Sequence, residues 1–242
     1  MTRTFAIARR ELSSYFYSPV AYVVMALFLF VSGWLFRRDF TPGQPVAMRT
    51  IFEWMVWLLV FVVPVLCMGL LAQEWASGTI ESLMTAPIGE GEVVTGKFLG
   101  SLSFFVVLLA PTLIYVAMLR LNAQPRSEFD YGPIWSGYLG IVLVGALFIA
   151  IGLFCSSLTR SQVVAAVTAA AILFLVTIVP WWASTEAALR PFWRAVCEQA
   201  VFNRYVDFSK GVIDSGNLIF FIVATTLFLF LTVKVLESRK WK

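Results

Sequence analysis

Residues 134–158 read IWSGYLGIVLVGALFIAIGLFCSSL, and this stretch decides the fold. It holds no Asp, Glu, Lys or Arg. It is also longer than the about 20 apolar residues that a helix needs to cross a bilayer core. In hydrocarbon every backbone N–H and C=O must find a partner within its own segment, so a helix is predicted. Five further stretches share this character: 19–36, 54–72, 98–119, 163–183 and 217–233, none with an acidic or basic residue. The whole chain agrees. Of its 242 residues 60% are hydrophobic, 16% aromatic and only 13% charged, about half the charge of a soluble domain. Its mean hydropathy is +0.85. Disordered, collagen-like and water-soluble globular classes are excluded. The predicted fold is all-α and polytopic, six transmembrane helices in a single domain over 1–242. The first stretch is too long to be the core of a cleaved signal peptide, and no A-x-A-like site follows it.

The same composition removes several kinds of chemistry. There is no histidine, so a His-metal site, a Ser-His or Cys-His catalytic pair and an imidazole relay are all excluded. Cys67 and Cys155 lie in apolar runs and Cys197 in a polar loop, a scatter that fits neither a disulfide framework nor a zinc site. The net charge of +4 suits an anionic lipid surface and forms no basic stripe for nucleic acid. The spans carry no ionisable group of the kind that ion-coupled transporters, proton pumps and voltage sensors use. If the chain transports, its energy comes from elsewhere.

Six spans put both termini on one side of the membrane. The positive-inside rule should say which side. Arg3, Arg9, Arg10, Lys97, Arg160, Lys234, Arg239, Lys240 and Lys242 fall on one side. Arg37, Arg38, Arg49, Arg120, Arg126, Arg190, Arg194, Arg204 and Lys210 fall on the other, so the count is a tie. The basic cluster hugging the last span favours both termini inside.

Before the first span, Phe5, Ala8, Leu12, Tyr15 and Phe16 recur at helical spacing with Arg9 and Arg10 off that face. A short amphipathic helix over 1–18, lying in the membrane surface, is predicted. Between the second and third spans, residues 73–97 read QEWASGTIESLMTAPIGEGEVVTGK and carry Glu74, Glu81, Glu90 and Glu92 with no base before Lys97. A plain helix connector needs about 2–8 residues, and this one is about three times that. Its reading is a helix over 74–85, a break at Pro87 and Gly89, and a second short helix leading from Glu92 into the third span. An acidic helical hairpin of this kind suits docking to a soluble partner. In the long segment 184–216, Trp193, Val196 and Ala200 repeat at helical spacing, as do Tyr205, Phe208 and Val212; one or two helices at the outer interface are expected, with Trp and Tyr at headgroup level, as a gate or a connector. Pro64, Pro111 and Pro180 predict kinks. Gly137, Gly140, Gly145 and Gly152 predict close helix packing within the fourth span.

Gly91, Gly96 and Lys97 match most of the phosphate-loop pattern G-x-x-x-x-G-K-[ST]. Phe98 stands where the magnesium-binding hydroxyl must be, and no strand precedes the run. No ATP or other cofactor is expected on this chain.

Taken together, these features resemble the permease subunits of type-2 ATP-binding-cassette (ABC) transporters, closest to the gliding-motility-associated permease group. The strongest piece is the run from Glu74 to Lys97, carried by Glu74, Gly78, Thr79, Glu81, Leu83, Thr85, Pro87, Val94, Gly96 and Lys97. A second is RRELSSYFYSP, with Arg9, Arg10, Glu11, Leu12, Phe16, Ser18 and Pro19, similar to the family's elbow helix. A third is FSKGVIDSGNLIFF before the last span.

The resemblance implies an ABC type-2 exporter-like fold in the cell inner (plasma) membrane with cytoplasmic termini. It implies a second permease subunit, identical or paralogous, and a cytoplasmic ABC ATPase that holds the ATP and Mg. The loop 73–97 would be the coupling element, with Glu74, Gly78, Thr79, Glu81, Leu83, Met84, Thr85 and Pro87 at the ATPase. Glu74 and Glu81 would meet basic residues there, and Leu83 and Met84 would fill its groove. The lipid bilayer, and an extracytoplasmic accessory protein, complete the expected partners. The expected function is ATP-driven transport, with export favoured and no catalysis by this chain. The rival is a membrane anchor that recruits an ATPase to an extracytoplasmic machine. An intramembrane enzyme lacks His and paired acids in the spans, and a channel lacks a filter-like run.

Overall fold

A computed structural model describes residues 2–39, 48–79, 89–122, 131–185 and 200–240. Among the described residues the chain is all helical. Helix α1 is Thr2–Tyr17, α2 Pro19–Asp39, α3 Met48–Cys67 and α4 Ala72–Ser77. Helix α5 is Glu90–Leu109, and a 3-10 turn at Ala110–Thr112 leads to α6 at Leu113–Asn122. Helices α7 (Gly132–Leu158), α8 (Gln162–Thr185), α9 (Val201–Ser209) and α10 (Ser215–Lys240) complete the chain.

Six helical segments are long and apolar enough to cross a membrane: Pro19–Asp39, Met48–Ser77, Glu90–Leu121, Gly132–Leu158, Gln162–Ala183 and Ser215–Ser238. They coincide with the six predicted spans and extend them. The third begins at Glu90, so the short helix expected from Glu92 is the first part of the span itself. Glu92 starts it: its carboxylate accepts the Gly89 N–H at 3.2 Å while its own N–H bonds Gly89 O at 2.9 Å. Of the three prolines, Pro64 and Pro180 lie within helices. Pro111 marks the break between α5 and α6, where the Thr112 hydroxyl bonds Leu109 O at 2.6 Å and Tyr138 at 3.0 Å.

The second and fourth spans form the centre of the bundle, and the first, fifth and sixth surround it with largely exposed faces. The fourth span can be central because its glycines accept neighbours at close range. A Cβ at Gly137 would collide with the Phe52 ring, and one at Gly145 with the Phe105 ring. At Gly152 it would come 2.7 Å from the Cys67 Cβ. Close packing within one subunit, as read from the sequence, is what these positions do. The first span is fastened more lightly, by Phe36 stacked on Tyr115 at 4.8 Å and Ser32 hydrogen-bonded to the Tyr115 hydroxyl at 3.1 Å. Its outer residues Tyr22, Val23, Phe30 and Trp34 are exposed.

The segment after the fifth span departs from expectation. Helix α9 forms as expected, but its apolar face, with Tyr205, is turned into the bundle. It packs into the bundle against the second, fourth and fifth spans, and Val201, Phe202, Tyr205 and Phe208 are all buried. The dent that receives it is Gly140, where a Cβ would lie 2.8 Å from the Phe208 Cβ. Ser136 donates to Phe208 O at 2.8 Å. Val212, expected to extend the apolar face, lies beyond the helix and is exposed. Of the helix expected around Trp193 and Val196, residues 186–199 lie outside the described ones.

Candidate functional site

At the end of the bundle that carries α1, the backbone of the second span breaks. Helix α3 stops at Cys67, a turn follows, and α4 restarts at Ala72. The restart leaves N–H groups without carbonyls in the helical register. Ser156 of the fourth span meets them: its hydroxyl oxygen accepts Leu71 N–H at 3.1 Å and Ala72 N–H at 3.0 Å, and donates to Met68 O at 3.2 Å. Helix α4 then ends at Ser77, where Gly78 takes the left-handed conformation (φ 73°) that glycine adopts without cost. The continuous helix expected over 74–85 is therefore interrupted at Gly78. The Ser77 hydroxyl bonds Gln73 O at 2.9 Å and Thr79 Oγ1 at 2.8 Å, closing the turn.

This short helix puts Glu74 beside Lys97. Lys97 lies two turns into α5, and its side chain is 2% exposed. Its ammonium sits 2.9 Å from Glu74 Oε1 and donates to Glu11 Oε2 at 3.1 Å. Both carboxylates are mostly buried, 18% and 14% exposed. Arg10 approaches Glu74 Oε1 from outside at 3.5 Å. Desolvating a charge is costly, and such a group is retained only where opposite charges and hydrogen bonds meet it. One cation shared by two carboxylates, with the Arg10 guanidinium alongside, is charge-balanced. Glu74 Oε2 is buried without a hydrogen-bond partner among the described residues.

Helix α1 reaches this cluster because two glycines of α5 let it. A Cβ at Gly96 would lie 2.8 Å from the Ile7 Cβ, and one at Gly100 would lie 2.8 Å from Ala8 O and 2.7 Å from the Glu11 Cβ. The helices meet almost backbone to backbone. At the far end of the contact the Tyr15 hydroxyl donates to Leu66 O at 3.0 Å and shares a 3.1 Å hydrogen bond with Ser101. Its ring stacks on Phe104 at 4.6 Å. Burial pushes the Tyr15 phenol well above its usual range, so it stays a neutral donor.

The face of α1 turned to the bundle keeps Ala8 and Tyr15 of the apolar face read from the sequence and adds Ile7 and Glu11. Phe5 and Phe16 point outward, 72% and 40% exposed, although Phe16 still touches the Phe104 ring edge. Leu12 is half-buried, and Arg9 and Arg10 are exposed. Among the expected coupling residues, Glu74 is turned inward, where an outward-facing partner for the ATPase had been expected, and Gly78 and Thr79 are exposed. Glu81, Leu83, Met84, Thr85 and Pro87 lie outside the described residues. Sequence reasoning did not assign roles to Gly100 and Ser156, and it placed Tyr15 on the apolar face of α1 without a hydrogen-bonding role. Gly96 and Gly100 at i, i+4 are a small-xxx-small pair that could have flagged the contact.

The model of the ABC-2 family transporter protein matches residues 38–189, well over half of the chain. The chain belongs to the ABC-2 transporter family. It is thus a multi-pass membrane protein and a permease subunit of an ABC transporter, a membrane component that is generally non-catalytic. Permeases of this family normally partner with a cytoplasmic ABC ATPase. The matched stretch contains Glu74, Lys97 and the loop between them, while α1 and Glu11 precede it. No curated protein matched the sequence.

Proposed function

We propose that this ABC-2 permease subunit works as an exporter in the inner (plasma) membrane, with cytoplasmic termini and a separate ATPase that holds the ATP and Mg. Two permease subunits rock against each other when the ATPases close. The loop 73–97 enters the ATPase, with Glu81 facing a basic residue and Leu83 and Met84 in an apolar groove. The finer kinship is with the gliding-motility-associated group.

One observation carries this reading. The base of the loop is closed by an ion pair: Glu74 before it and Lys97 after it stand 2.9 Å apart. Displacement of such a loop is delivered to the second and third spans together. An open connector would take up the displacement itself.

The test is purification of the tagged chain from its native membrane in mild detergent, with mass spectrometry of what accompanies it and an assay of ATP hydrolysis. A soluble protein with a complete phosphate loop should copurify, and Glu81→Lys should release it. Because Glu74 is an internal partner of Lys97, Glu81→Lys is a cleaner probe than any change at Glu74. If no ATPase accompanies the wild-type chain under conditions that preserve other membrane complexes, the loop is not a coupling element.

A further inference from the structure

We infer that Lys97 is a clamp that ties the amino-terminal helix to the loop 73–97, so that α1 moves with the loop and transmits the ATPase's stroke along the membrane surface. The inference rests on the coupling role proposed for that loop and adds a positioning residue and a second moving part.

The geometry has three elements meeting on one atom. Lys97 Nζ belongs to α5, and it holds Glu74 of α4 at 2.9 Å and Glu11 of α1 at 3.1 Å. The pair with Glu74 already neutralises the ammonium, so Glu11 is not required for charge balance at Lys97. What Glu11 adds is a link to a helix that lies outside the six spans. That link is short, mostly buried, and set where Gly96 and Gly100 bring the two backbones together. A displaced loop base moves Lys97, and a buried ammonium cannot leave one carboxylate without desolvation cost. Glu11 therefore follows. The outer face of α1, with Arg9, Phe5 and Tyr17 exposed, would carry that motion into the headgroup layer.

Glu11→Leu separates the clamp from the fold. It leaves the Lys97–Glu74 pair intact and balanced, and it leaves the Tyr15 and glycine contacts in place. The experiment is hydrogen exchange on the chain copurified with its ATPase, without nucleotide and with ATP plus vanadate. In the wild type, exchange in 2–17 and in 73–97 should change together on nucleotide binding. In Glu11→Leu the response should persist in 73–97 and be lost in 2–17, with the ATPase still bound. If Glu11→Leu frees α1 even without nucleotide, the shape-keeping Glu11→Gln takes its place and should show a weakened response in 2–17. The clamp is overturned if 2–17 is silent in the wild type while 73–97 responds, or if its response is undiminished in the Glu11 variants. Silence of both segments, or absence of an ATPase, overturns the coupling reading itself and the clamp with it, a pattern distinct from the others.

Discussion

Each end of the bundle is closed by one short helix, and the two are held by different physics. At one end α1 lies over Gly96 and Gly100 and is fixed by Lys97 between two carboxylates. At the other, α9 lies over Gly140 and is fixed by rings and hydrogen bonds. Phe202 packs against Trp57 at 4.9 Å and Trp181 at 5.9 Å, and Ser136 holds Phe208 O. A polar clasp completes it: Asn217 accepts from Arg204 at 2.9 Å and donates to Asp207 at 3.0 Å. Aromatic packing has many small contacts and no single point of failure. A buried ion cluster concentrates its energy in one atom, so that end is the one a single substitution can disconnect.

The largest expected effect follows from that contrast. Lys97→Met would leave Glu11 and Glu74 facing each other with only the exposed Arg10 beside Glu74. Removing one partner of a buried ion pair costs about 3–5 kcal/mol. Thermal unfolding of the purified chain in detergent should show the loss. A shift no larger than that of an exposed pair such as Lys234–Glu237, whose ion pair is worth about 0–1 kcal/mol, would mean that water reaches the cluster.

The next effect is steric and separates the ends from each other. Gly100→Val would press against Ala8 O, a backbone atom that cannot turn aside, while Gly140→Val would press against Phe208 and the Tyr205 ring. Overpacking of this kind costs about 1–3 kcal/mol. Limited proteolysis or hydrogen exchange should find residues 2–17 loosened by the first and 200–209 by the second. If either variant loosened both ends, the two helices would not be independent attachments.

The spans were legible because lipid demands long uncharged runs, and nothing else in a chain this size imitates them. The face of α1 was legible in part. Ala8 and Tyr15 were read on its apolar face and are buried, while Phe5 and Phe16, read on the same face, point away from the bundle. Its true inner face contains Glu11, whose partner lies far along the chain, and no local spacing reveals that. The break of the hairpin at Gly78 was readable in principle, since glycine is the commonest residue just past a helix end. The burial of α9 depended on a dent at Gly140 in another span, which amphipathic spacing within α9 could not report. Gly137, Gly140, Gly145 and Gly152 were correctly read as packing positions, but which neighbour each receives is a tertiary fact. Within the candidate site, the acidic loop and its closing Lys97 were visible as a pattern, while the inward turn of Glu74 was not.

The smallest expected effect is the most discriminating, because it is the same change made at both ends. Tyr15 and Tyr205 are both buried, and removing either hydroxyl leaves the ring in place. The Tyr15 hydroxyl has two partners, Leu66 O and Ser101. Tyr15→Phe leaves Leu66 O without that donor and should cost about 1 kcal/mol. The Tyr205 hydroxyl is buried with no hydrogen-bond partner among the described residues. Burial raises its pKa well above the usual range, and the carboxylate of Glu53 adds to the shift, so the group is a neutral phenol without an acceptor. A polar atom that has lost water and gained nothing is destabilising. Tyr205→Phe should therefore leave the melting temperature unchanged or raise it. Opposite signs from one chemical change would show that the α1 end is held by specific polar bonds and the α9 end by packing. Equal losses at both positions would mean that Tyr205 has an acceptor, with a buried water the simplest one, and that its hydroxyl adds to the polar bonds made there by Ser136 and Asn217.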